Sequence, residues 1–255
     1  MDSGEASQPV LTILSNPRVI IALLTATMGA YSIGTVESTL SPFLEHMGLD
    51  VKLIAIAFLV MSFCSVVATP FFGWICDGKI SPWLVSCCGC VIMFICFAFL
   101  GPVPYLAFFN PTLLTVCGSL VAQGFGCAAV LVASFGSAQL AAVATGLPDS
   151  LEVQSVVSGL FTSSFALGNF CGPTVSGILY DAVGFSYNCL ILQILTVLVL
   201  FFNIFSFLLT PTTKALSKPD VEALTSLSYQ LSDRPDLLPR EKNCLGIKQT
   251  DSRHL

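Results

Sequence analysis

Between residues 19 and 210 the chain carries only two basic side chains, Lys52 and Lys79. A water-soluble domain of that size displays charge on about a quarter of its residues. Here the whole chain is 55% hydrophobic and 10% charged, and seven of its ten Lys and Arg lie beyond Pro211. Its mean hydropathy is +0.86. A segment with so little charge to offer water must have lipid as its solvent, so the sequence reads as an integral membrane protein. The apolar runs are about twenty residues long and do not alternate in polarity. They suit membrane-crossing helices and not the roughly ten-residue alternating strands of a barrel, so the fold expected is all-α.

Six such runs can be drawn, over residues 18–43, 52–76, 82–100, 112–144, 153–180 and 185–209. Each is long enough for a hydrocarbon layer about 30 Å thick, and the fourth is over-long. Short breakers rich in Gly, Pro and Asp separate them, which makes neighbouring spans antiparallel. With six spans both termini share one side. Arg18, Lys79, Lys214 and Lys218 then fall on that side and Lys52 opposite, so the positive-inside bias predicts cytoplasmic termini. The expected organisation is a polar segment over 1–17, a six-helix bundle over 18–210 and a disordered cytoplasmic tail over 211–255. The first residues, polar and mildly acidic, do not read as a cleavable leader, so the first span is expected to direct insertion. Within the tail, Asp233 stands four residues before Leu237-Leu238. That spacing resembles a dileucine sorting signal read by clathrin adaptors, although so short a pattern also arises by chance.

Several classes of function are disfavoured. Most of the eleven cysteines sit inside apolar runs, where Cys acts as a small hydrophobe, and the Cys87-Cys88-x-Cys90 group has neither His nor a second Cys pair to complete a metal site. No basic patch with interleaved aromatics suggests a nucleic-acid partner. No paired catalytic residues or phosphate loop suggest an enzyme, and no cofactor is implied. The thrice-repeated Pro-x-Asp/Glu-x-x-Lys/Arg element of six-helix mitochondrial carriers is missing.

Two motifs carry positive information. At the turn after the second run stands Gly73-Trp74-Ile75-Cys76-Asp77-Gly78-Lys79. Gly73 would let helix backbones approach, Asp77 would cap a turn or pair with a base, and Lys79 supplies cytoplasmic charge. The fifth run contains Gly168-Asn169-Phe170-Cys171-Gly172-Pro173, with Gly177 beyond it. Small residues four apart make a flat packing stripe, and Pro173 removes a backbone hydrogen bond and favours a bend. The first motif resembles the G-x-x-x-D-(R/K) loop signature of the major facilitator superfamily, with Gly78 and Lys79 in place of its commoner ending. The second is similar to the glycine-proline motif of antiporters in that superfamily. A faint echo, Gly73-x-x-x-Asp77 against Gly177-x-x-x-Asp181, would fit the three-plus-three inverted repeat of such folds.

The third feature is an acidic residue inside a span. In the first run Thr27, Ala30, Tyr31, Gly34, Glu37, Ser38 and Ser41 share one small, polar helix face, which should line a cavity or a helix interface. An ionised, unpaired carboxylate there would cost about 2.5–3.5 kcal/mol, so Glu37 needs a proton or a cation beside it. The alternative is that Glu37, late in its span, is solvated at the far membrane face. Glu37-x-x-Leu40 followed by Pro42 resembles the seventh helix of the vesicular amine transporter family, most closely its polyamine branch. The resemblance covers the apolar region only, as the C-terminal six helices of a twelve-helix fold. It implies an organic cation exchanged for lumenal protons across a secretory, synaptic or endolysosomal vesicle membrane. Thr162 stands where the monoamine members carry an acidic residue, ten positions before the Gly-Pro pair, which speaks against monoamine recognition and leaves polyamine-like or other cations open. Gln123 and Asn169 are further candidates for the cavity wall, or else interhelical hydrogen bonders. Two readings stay open. The chain is a transporter, together with an N-terminal six-helix half or a second copy, or it is a non-transporting half that modulates a full-length relative.

Overall fold

The structure, a computed structural model, describes residues 7–78, 80–101, 112–145 and 150–209. Among them every regular element is an α-helix: α1 (Ser7–Leu14), α2 (Pro17–His46), α3 (Val51–Cys76), α4 (Pro82–Leu100), α5 (Leu113–Val143), α6 (Leu151–Val183) and α7 (Phe185–Leu209). In hydrocarbon a helix is the open-chain solution that satisfies its own backbone polar groups. The helix starts follow local chemistry. Asn16 caps α2, accepting from the Arg18 amide at 3.0 Å, with Pro17 in the first turn. The hydroxyls of Thr112 and Ser150 cap α5 and α6 in the same way.

Among the described residues five helices, α2, α3, α4, α5 and α7, are long and apolar enough to cross a membrane. The expected fifth span corresponds to α6, which has 33 residues, ample length for a crossing. Its composition is what sets it apart: hydroxyl residues, glycines and Asn169 interrupt its apolar run. The structure also adds α1 inside the segment expected to be merely polar. Ile13 of α1 is fully buried beside Val19 of α2, Ala138 of α5 and Val153 of α6. The amide of Asn16 donates to the Ala141 carbonyl at 3.0 Å, tying the entry of α2 to the last turn of α5.

The packing has an internal order. α2 and α5 touch each other at the centre; α6 lies on α2, α3 lies on α5, α4 lies on α5 and α7, and α7 also reaches α2. Exchanging α2 with α5, α3 with α6 and α4 with α7 turns this set of neighbours into itself. The three-plus-three echo of the sequence is therefore matched in the arrangement of the bundle. The equivalent helices α3 and α6 are the outer ones of the pattern, and each carries an interior proline, Pro70 and Pro173.

Two glycine crossings set the closest approaches. On α6, a Cβ at Gly168 would run into the Thr27 carbonyl and Ala30 Cβ, and one at Gly172 would meet the Tyr31 carbonyl at 2.7 Å. Gly34 answers from α2, where a Cβ would press on the Pro173 ring at 2.7 Å. On the other pair, a Cβ at Gly124 of α5 would meet the Met61 carbonyl of α3 at 2.6 Å. Polar bonds pin α7: Asn203 donates to Thr25 of α2 at 2.8 Å, and Gln193 to the Phe94 carbonyl of α4 at 3.4 Å.

Two sequence expectations are corrected here. Gly73 and Gly177 were expected to pack closely, yet a Cβ at either would meet open space among the described residues. Only Gly168 and Gly172, facing α2, make the close approach that the motif suggested. Replacing Gly168 with Ala is expected to lower stability by about 1–3 kcal/mol through overpacking, and Gly177→Ala to be neutral or slightly stabilising. Thermal unfolding of the purified variants in detergent checks the pair.

Candidate functional site

A cavity of about 250 Å³ opens between α2, α3 and α5. From α2, Ile33 and Glu37 line it one helical turn apart. From α3, Met61, Ser62 and Ser65 form the facing wall, again at helical spacing. Gln123 and Cys127 of α5, both almost fully buried, form the floor. Gly124, between them, brings the α3 backbone close and so sets the width of the cleft. The wall is therefore mostly apolar, with one carboxylate, two serine hydroxyls and an amide. Such a mixture suits an elongated organic molecule bearing a positive charge.

Glu37 is exposed in this chain. The sequence left Glu37 either buried in its span or solvated at the far membrane face; the structure places it, exposed, among the residues that line the cleft. The reason is local. The rest of its expected polar face turns toward α6 instead of the cavity: the Ser38 hydroxyl meets that of Ser176 at 2.9 Å, and the Tyr31 backbone takes the Gly168–Gly172 crossing. Ser38 and Tyr31 therefore belong to the α2–α6 seam. They are not among the residues that line this cavity.

Gln123 lines the cavity and is tightly held. Its amide nitrogen lies 3.3 Å from the Ser32 hydroxyl and 3.3 Å from Cys127 Sγ, and its oxygen accepts from the Cys96 thiol at 3.4 Å. It is at once an interhelical hydrogen bonder and part of the cavity floor. Thr162 and Asn169 lie elsewhere, exposed on α6. The Thr162 hydroxyl donates to its own helix, to Ser158 O at 2.9 Å, and so do Ser155, Ser158, Ser163 and Thr174 at their i−4 carbonyls. Asp77 is exposed at the C-terminal cap of α3, where its amide donates to Gly73 O at 2.9 Å. Lys79 and the tail residues Asp233, Leu237 and Leu238 lie outside the described residues.

Sequence reasoning missed Met61, Ser62 and Ser65. The only available signal was the i, i+3 pair Ser62 and Ser65 within the otherwise apolar α3. Among the described residues no group of three or more His, Cys, Asp or Glu is placed to hold a metal ion.

The chain has curated relatives. The MFS-type transporter SLC18B1 of Homo sapiens is 30% identical to the chain over 189 residues, which are 73% of this chain and 41% of that protein. The proteins of the same name from Mus musculus and Rattus norvegicus are 28% and 26% identical over 73% and 77% of the chain. The chain is a relative of major facilitator superfamily transporters. It spans about 41–44% of the length of the relatives it matches. No family model matches it. This kinship and the five apolar helices among the described residues mark an integral membrane protein.

The Ser38–Ser176 contact is expected to couple α2 to α6 by about 0.6 kcal/mol, the usual worth of an interhelical bond in a membrane. A double-mutant cycle with Ser38→Ala and Ser176→Ala, read by unfolding in detergent, measures it.

Proposed function

We propose that the chain is a six-spanning half of a proton-coupled exchanger that carries an organic cation, a polyamine or related amine, into acidic vesicles. In this reading α6 crosses the bilayer with the other five long helices, and both termini face the cytoplasm. Residues 211–255 form a cytoplasmic tail in which Asp233, Leu237 and Leu238 engage a clathrin adaptor.

The observation that carries the proposal is Glu37 at the edge of an otherwise apolar cleft. A single carboxylate can take a proton or pair with a cation, but not both at once. That competition is what exchange requires: the proton must leave for the amine to bind, and the amine must leave for the proton to return. Ser62 and Ser65 stand across the cleft as hydroxyl acceptors for the amine N–H groups. The apolar residues Ile33 and Met61 suit the methylene segments between charges.

The cleft is open on one side, and Glu37 stands at that open side. An N-terminal six-helix half, or a second copy of the chain, would complete it. The same openness favours the second reading, a non-transporting half that regulates a full-length relative.

Uptake of labelled spermidine into acidified vesicles separates the two. Proton-driven uptake by the chain, alone or with a complementing half, is expected under the first reading. Its absence in both settings, with a stable monomer in detergent, supports the second. In a transporting preparation Glu37→Gln should cut proton-driven uptake by about tenfold or more, the loss of a charge-assisted interaction of about 1.5–3 kcal/mol. Unchanged uptake would remove Glu37 from the mechanism.

A further inference from the structure

Cys96 lies on α4, a helix that contributes nothing to the cavity wall. Its thiol is buried and points at α5, with its one S–H shared between the Ser119 carbonyl at 3.0 Å and Gln123 Oε1 at 3.4 Å. Gln123 is held on its other side by Ser32 of α2 and Cys127 of α5. Ser32 is itself fixed, donating to Gly29 O at 2.8 Å. Both polar atoms of one flexible amide are thus engaged by side chains from three helices. A glutamine that served only to join two helices would need one such bond.

The placement of the cluster gives it a consequence for the cavity. Gln123 and Cys127 form its floor, so the orientation of the amide decides which atom a ligand meets and whether the Cys127 thiol is covered. A thiol is a weak donor. The Gln123 oxygen is therefore restrained, not locked, and can be recruited by a stronger N–H donor that enters the cleft. Without the thiol the oxygen has lost its donor from α4, and the amide is free to turn toward the cavity in search of another.

We infer that Cys96 is a positioning residue for the cation cleft: it holds the Gln123 amide over Cys127 and thereby links α4 to a cavity that α4 does not touch. The inference rests on the proposed cation-binding role of that cleft.

The test reads the floor directly and needs no transport. The full chain in lipid vesicles is treated with methanethiosulfonate ethylammonium, a small cationic thiol reagent, and labelling of Cys127 is followed by mass spectrometry. Cys96→Ala is expected to speed labelling of Cys127 by about two- to threefold, the effect of losing one weak hydrogen bond. Gln123→Ala should do the same, and Cys96→Ser, which keeps a donor of similar size, should label as slowly as the unaltered chain. Spermidine should protect Cys127 in the unaltered chain. Equal rates for the unaltered chain and Cys96→Ala overturn the inference. So does fast labelling of Cys96→Ser, which would make side-chain identity and not hydrogen bonding the cause. A Cys127 that fails to label even in Gln123→Ala is not at the cavity, and that also overturns it. If the expected rate pattern appears without spermidine protection, the cation-cleft reading fails and Cys96 is left as a clamp with no role in cation binding.

Discussion

The seam between α2 and α6 is the contact on which the arrangement of the bundle depends. Membrane helices gain little from burying apolar surface against one another, because lipid is equally apolar. They associate through close backbone approach and a few hydrogen bonds. Gly168 and Gly172 give α6 a flat face against the Thr27 and Tyr31 carbonyls, and Gly34 gives α2 room for the Pro173 ring. Ser38 and Ser176 add a hydroxyl pair to the same seam. By placing these side chains toward α6, the seam turns the Ile33 and Glu37 side of α2 toward α3 and α5, where the cavity opens.

The α3–α5 contact is the counterpart of that seam in the pseudo-symmetric pattern. Gly124 plays the part there that Gly34 plays on α2, admitting a neighbouring backbone at close range. The two contacts differ in what they enclose. The α2–α6 seam is closed by hydroxyls, whereas the α3–α5 contact borders the cleft that holds Glu37, Gln123 and Cys127. One topology thus supplies a rigid joint on one side and a lined opening on the other.

Much of this was legible in the sequence. The six apolar runs became the six long helices with ends displaced by only a few residues, since hydropathy over twenty residues is a signal that tertiary contacts hardly disturb. The Gly168–Gly172 stripe and the buried Gln123 were legible because small or polar residues in a lipid setting need a reason. Other features were not. Gly73 and Gly168 look alike as letters, and only the position of a neighbouring helix separates open space from a crossing. α1 is eight residues long, too short for periodicity to declare it. Glu37 was legible as a charged residue in a span, but the choice between its buried and its solvated reading was not, because that depends on which side of α2 the other helices occupy. Cys96 and Cys127 passed as small hydrophobes. Their hydrogen bonds to Gln123 join positions 27 residues and four residues apart, and only the first of these needs tertiary structure to be seen.

The hydroxyls along α6 keep their bonds inside their own helix, from Ser155 and Ser158 through Thr162 and Ser163 to Thr174. Whatever lies across from them, no bond need be broken when that neighbour is displaced. Side chains that reached outward for partners would resist each step of such a shift and would favour one register. A face whose polar groups are already satisfied has no preferred register of its own, so it behaves as a low-friction bearing surface. Meanwhile the glycine seam on the opposite flank of α6 keeps the helix fixed to its own bundle.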